Sequence, residues 1–501
     1  MKVIKRNGNL EEFNVNKIIR AVKKAFKAAN SEYPEYLDKM IPSLFVEEDT
    51  IYIEVIQDRV EQLLMNDNHF GAAKDYILYR DKHKNLRNFV NKKLLFIDNY
   101  IKSDNTANAT IDDNSNVANH NIAILNSEIH KDTNRDINLR MLRDKIKELY
   151  PDFDCKQMDI DFNTIAYLHD SSSQIGMPYC VAITMYPFLI NGIRDLGGLS
   201  AAPKNIDSFC GMFINLVFAI ASQFKGAVAT PGVLLCMDWY LRKEWGDNYY
   251  QKSDVIITSE HCLRQQTIKG QIHQYFQQIV YSLMQPSGSR GNQSVFWNLS
   301  IFDKPFFDTM YGDFYFPDGS KPQWGSLQWL QKDFLHWFNQ ERLKCILTFP
   351  VVSLCLIYQD NKFVDEDLYE FACQEYSEGN SFFTYISDSA DSLSSCCRLS
   401  SKISKPQFNF TNGQLSEMTG SKNVITLNLN RIIQDWYKSI PSMTVAGLIP
   451  EKKNLVSDIL CTTPIWRFKD YLINILERIY KYQIAYNECL KYLKENKLLP
   501  V

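Results

Sequence analysis

Long hydrophobic runs are scarce in this chain, and so is an excess of charge of one sign. The most apolar stretch, Phe213 to Ala221, is too short to cross a bilayer and is soon followed by Lys225 and Gly226. The amino-terminal MKVIKRNGNLEEF lacks the apolar core of a signal peptide. A net charge of −3 gives no global reason to bind a polyanion. The twelve cysteines are scattered, without the tight spacing of a disulfide scaffold, as in a chain from a reducing compartment. No internal repeat or low-complexity tract stands out. The expectation is a cytoplasmic protein that neither spans a membrane nor binds nucleic acid. The hydrophobic share of 45% is that of an ordinary globular protein, and 501 residues are too many for one small core, so two or more domains are expected.

The first 90 or so residues read as one unit. Lys2 to Arg6 alternates like a strand, Asn7-Gly8 is a two-residue hairpin signal, and Leu10 to Phe13 is the return strand. Asn14 or Asn16 can cap a helix through Ile18, Ile19, Val22 and Phe26. Further helices are expected over Ile51 to Met65 and Phe70 to about Arg87, then a polar linker from Ser103 to Asn121. The remainder mixes helices, such as Ile206 to Phe224, His261 to Met284 and Phe468 to Lys497, with strands. Ile346 to Tyr358 is β-branched and apolar throughout, as in a strand buried on both faces.

Four segments carry candidate chemistry. In the first, Lys5, Arg6 and Lys17 can meet around a polyphosphate, with Asn7-Gly8 giving close backbone approach and Asn16 near a helix amino terminus. The alternative is a solvated basic face beside an ordinary hairpin. The second runs through His169-Asp170 to Cys180, where a satisfied core histidine and a core cysteine are equally open readings. The third is the Gly-rich loop Gly288 to Phe296, a phosphate cradle or a plain surface turn. The fourth is Cys396-Cys397-Arg398, on a Ser-rich turn after the candidate strand Phe382 to Ile386 and before another at Val424 to Asn428. Thiols on such a loop sit where chemistry usually occurs, although free cysteine is also among the most buried residue types.

Taken in order, these segments resemble the anaerobic (class III) ribonucleoside-triphosphate reductases. VIKRNG, LEEF and NKI, closing with Ala72-Ala73 and Tyr79-Arg80, are similar to the ATP-cone, the nucleotide-binding regulatory module of reductases. Cys180 resembles the substrate-facing cysteine of the first barrel strand. Cys396-Cys397-Arg398, then Gly420-Ser421 and VITLNLNR, is similar to the finger loop and the strand after it. By position Cys397 matches the radical-bearing cysteine. Ser421 stands where some members carry a substrate-contacting Asn, and Asn430 replaces a usual Pro.

The resemblance implies an α/β fold: a mostly helical cone over residues 1–92, then a ten-stranded barrel of the glycyl-radical-enzyme type over 93–501. It implies a Cys397 thiyl that abstracts the ribose 3′ hydrogen of a ribonucleoside triphosphate. ATP and dATP are the implied effectors at Lys5, Arg6, Asn7, Gly8, Asn16 and Lys17, and a homodimer is the implied assembly. The family's zinc ribbon and radical glycine have no counterpart here. Cys461 and Cys489 are too far apart for a paired-cysteine zinc site, so no metal is expected on this chain. The chain thus reads as incomplete at its carboxyl end. A companion polypeptide carrying the glycyl-radical segment, serviced by a radical-SAM activase, is the expected partner. The alternatives are an inactive or regulatory nucleotide-binding fragment and a glycyl-radical enzyme of another substrate.

Overall fold

The computed structural model describes all residues except Asn7, 46–48, 103–121, 173–174, 195–197, 258–265, 289–292, 380–381, 391, 395–399, 403–418, 440–464 and 500–501. The chain divides into two compact units, Met1–Asp104 and Asn105–Val501.

The first unit opens with the expected hairpin. Strand β1 (Lys2–Ile4) pairs antiparallel with β2 (Leu10–Glu12), with Ile4 opposite Leu10. The connection is therefore Lys5 to Asn9, longer than the two-residue turn that Asn7-Gly8 suggests, and Gly8 takes φ +80° inside it. Helix α1 (Val15–Ala28) is capped by Asn14, whose side chain accepts the Asn16 N–H. Helix α2 covers Leu37–Ser43. Strand β3 (Thr50–Tyr52) pairs parallel with β1, in residues that periodicity assigns to a helix. Helix α3 follows at once (Ile53–Asn66), and α4 runs from Phe70 to Lys102, a full 33 residues and well beyond the expected stop at Arg87. Val22, Phe26, Leu37, Ile41, Val60 and Leu64 form the core of this unit.

The second unit is built on one sheet. Five parallel strands lie in the order Cys180–Ala182, Val228–Ala229, Trp297–Phe302, Val351–Gln359 and Phe383–Ser387. Thr419–Ser421 joins antiparallel beside the first strand. A separate antiparallel pair links Ala166–Leu168 to Ile425–Leu427. The mixed α/β architecture stands, and the described strands supply one parallel half of the expected barrel without closing it. The helix-facing side of the sheet carries Val228, Trp297, Leu299, Ile301, Val352, Leu354 and Leu356. They pack against helices that include Ile206–Ala221 and Ile268–Leu283, giving a core rich in Phe and Trp. A smaller core joins the helix Ile122–Leu149 to the long carboxyl-terminal helix Ile465–Glu495 through Leu142, Ile146, Ile475, Ile479 and Tyr482. There Tyr482 and Arg478 both donate to the buried Asp161. Among the described residues no helix is long and apolar enough to cross a membrane.

Candidate functional site

Two places gather chemistry, one in each unit. In the first unit, α1, α3 and α4 enclose a cavity of about 490 Å³. Arg6, Lys17, Arg20, Lys24, Arg80 and Arg87 reach it, with Asp75 as the single carboxylate among the described residues and Tyr76 and Tyr79 as aromatic walls. Helical spacing puts Lys17, Arg20 and Lys24 on one face of α1, and Asp75, Tyr79, His83 and Arg87 on one face of α4. Some of this charge is already engaged. Arg6 donates to Glu54 and, at 2.7 Å, to Gln57. Arg80 bonds Glu54 and Asp58 at 2.6 Å and Glu61 at 2.8 Å. Arg6 holds the Glu54 carboxyl below its ordinary range despite partial burial, and Arg80 adds to the effect. Burial opposes the charge of Arg80, but its three carboxylates override this and raise its pKa. Arg20, Lys24 and Arg87 make no ion pair with any described residue, which leaves them for an anionic ligand.

The residues expected to bind nucleotide therefore split. Arg6 and Lys17 line the cavity. Lys5 does not; it bridges Glu11 at 3.1 Å, and Lys17 reaches the same carboxylate at 3.4 Å. Lys5 and then Lys17 pull the Glu11 pKa down. Gly8 and Asn16 lie off the cavity lining, and Asn7 is outside the described residues. The α4 contributors, His83 and Arg87, were hidden because the sequence shows no reason for the helix to keep this face turned inward.

In the second unit Cys180 opens the first parallel strand and is 6% exposed. Its thiol accepts the Ala227 N–H at 3.2 Å. Gly226 makes this possible, because a Cβ there would lie 2.6 Å from the Cys180 sulfur and 3.0 Å from the Tyr179 oxygen. The two chains are tied by the Gly226 N–H to Tyr179 carbonyl bond and by the Lys225 N–H to Pro178 carbonyl bond. Ser421 is the antiparallel partner of Cys180, and its carbonyl accepts the Tyr179 N–H at 2.8 Å. The structure thus sets two of the three expected catalytic positions side by side. Cys397 lies outside the described residues.

Beside this strand, the Lys225 ammonium is buried and donates to the Tyr486 hydroxyl at 2.9 Å. That hydroxyl in turn donates to the Met177 carbonyl. Burial lowers the Lys225 pKa to about 8, with Asp170 opposing. His169, the histidine of the same segment, bonds the Thr426 hydroxyl at 2.7 Å across the small antiparallel pair. Among the described residues His336, Glu375 and Glu378 bring ligand-type atoms within 4.8 Å of one another. Both Glu375 carboxylate oxygens are already bonded, to His336 and Asn339, so this cluster is satisfied as it stands.

Residues 113–501 match the family anaerobic ribonucleoside-triphosphate reductase, and residues 1–85 match the ATP cone domain. A crystal structure of the anaerobic ribonucleotide reductase from Thermotoga maritima, with dATP bound in the specificity site, superposes with a TM-score of 0.59 at 26% identity. It matches over 76% of this chain and 57% of that one. Another structure, described as an anaerobic ribonucleotide reductase, gives 0.62 at 26% identity over 82% of this chain and 57% of that one. The ribonucleoside-diphosphate reductase subunit alpha of Chlamydia trachomatis is 34% identical over 17% of this chain and 10% of that protein. The chain spans a tenth of that curated relative and just over half of the matched structures.

Proposed function

From the premise that this chain belongs to the anaerobic ribonucleoside-triphosphate reductase family, we propose that it is the nucleotide-binding and substrate-reducing part of such an enzyme. The observation that carries this is the buried Cys180 thiol, seated on the first strand with Ser421 in register beside it. The reading assigns Cys397 the thiyl that takes the ribose 3′ hydrogen; the 2′-hydroxyl then takes up a proton and leaves as water, a formate or thiol-pair reductant supplies the two electrons and the hydrogen that replaces it, and the 3′ hydrogen returns from Cys397. Cys180 is the second thiol of this reading. The bond from the Ala227 N–H orients its sulfur, and a dry site protects radical intermediates from water. A radical-bearing glycine segment supplies the initiating electron hole, and a companion polypeptide, a radical-SAM activase and a homodimer complete the assembly. ATP and dATP are the effectors assigned to the Arg6, Lys17, Arg20 and Lys24 cavity, where oriented cations favour a polyphosphate.

The test is deoxynucleotide formation from CTP under anoxic conditions, with companion segment, activase and either formate or a dithiol reductant present. The expected result is turnover by the wild type and none by Cys397→Ala. Equal turnover by the two would reject the assignment.

A further inference from the structure

The sheet face turned away from the helices carries an unusual row. Pairing places Ala182, Ala229 and Asn298 in one rank across three adjacent parallel strands. Cys180 lies one rank earlier on the same face, and Ser300 and Ser353 form the next rank. Asn298 and Ser353 are both 0% exposed. Among the described residues neither side-chain amide atom of Asn298 has a hydrogen-bond partner, nor does the Ser353 hydroxyl. Thr184, two residues beyond Ala182 and 3% exposed, has an unpartnered hydroxyl as well.

Buried polar atoms without partners are rare in native proteins, because each has given up its hydration with nothing in return. Here they gather on one face, Asn298 two strands and Ser353 three strands from the Cys180 strand, or about 10 and 15 Å at ordinary strand spacing. None of the residues in these ranks is charged. A triphosphate calls for cations, whereas an amide that both donates and accepts, beside a hydroxyl, complements neutral vicinal hydroxyls. Resting on the substrate reading above, we propose that Asn298 and Ser353 bind the ribose hydroxyls of the ribonucleotide. They act as substrate-positioning residues, while the phosphates are held elsewhere.

The test pairs each protein group with a ligand group. Binding of CTP and of 2′,3′-dideoxy-CTP to the full chain is measured, with dATP saturating, for wild type, Asn298→Leu and Ser353→Ala. The expected result is that wild type prefers CTP, and that each variant loses about tenfold for CTP, the value of one hydrogen bond, with little change for the dideoxy compound. The variants are expected to melt no lower than wild type, because each removes an unsatisfied buried group. Equal losses for both ligands would show that these residues only shape the cavity, and unchanged CTP binding would also overturn the proposal. Failure of the wild type to bind CTP would instead strike the substrate reading, and this inference with it. If Asn298→Leu does not fold, Ser353→Ala carries the test alone.

Discussion

The cavity of the first unit and the inner sheet face of the second solve opposite problems. The cavity is rimmed by guanidinium and ammonium groups on two helices, partly wet and partly engaged by carboxylates. The sheet face is neutral, small-chained and sealed, with polar atoms left unpaired. The difference teaches how each discriminates. Charge attracts a phosphate chain from a distance and tolerates water. A buried amide or hydroxyl recognises only a group that reaches it, and penalises any ligand that leaves it unpaired.

The strongest way to break the comparison is to strip α1 of the unpaired charge it brings to the cavity. Arg20→Ala with Lys24→Ala is expected to weaken ATP binding by about a hundredfold or more, at ~1.5–3 kcal/mol for each charge-assisted contact. Calorimetry at rising salt should show the wild-type affinity falling more steeply than the variant's. Wild-type affinity in the double variant would mean that this cavity is not the phosphate site.

Lys225 sharpens the other side, as a cation buried beside the Cys180 strand. Its pKa is near 8 when folded against an ordinary 10.5. Below pH 8 both states hold the proton, and above 10.5 neither does. Between these values unfolding takes up a proton, so this residue makes stability rise with pH across that window, by roughly 3 kcal/mol at most. Urea unfolding at pH 7.5 and pH 10 should show that rise in the wild type relative to Lys225→Met. Parallel profiles for the two proteins would remove the buried-charge account.

Two glycines give the smallest and most direct contrast. Gly226→Ala places a Cβ against the Cys180 sulfur and the Tyr179 backbone, and is expected to cost ~2–3 kcal/mol as overpacking. Gly8→Ala meets nothing within 4 Å but must hold φ +80°, for about 1 kcal/mol. Thermal melts rank the pair; the reverse order would show that the sheet face is the softer region.

Much of the first unit was legible because its signals are local. The hairpin and the Asn14 cap follow from neighbouring residues. Strand β3 was not, since three residues carry no period and their partner lies far back in the chain. Lys5 and Lys17 look alike in sequence and both reach Glu11, yet only Lys17 of the two lines the cavity. In the second unit, Trp297 to Phe302 alternates like a strand with one wet face, and all six residues are buried. Asn298 was therefore invisible as a site residue.

The order of motifs, taken alone, determined the family and marked Cys180, Ser421 and Cys397 as positions of interest, because such motifs are written in contiguous residues. Only tertiary structure decided which cations face the cavity, that Ser421 pairs with Cys180, and that Asn298 is sealed without a partner. Those facts depend on strand register and helix packing between segments up to 241 positions apart (Cys180 and Ser421), and no local pattern encodes what meets across such a distance.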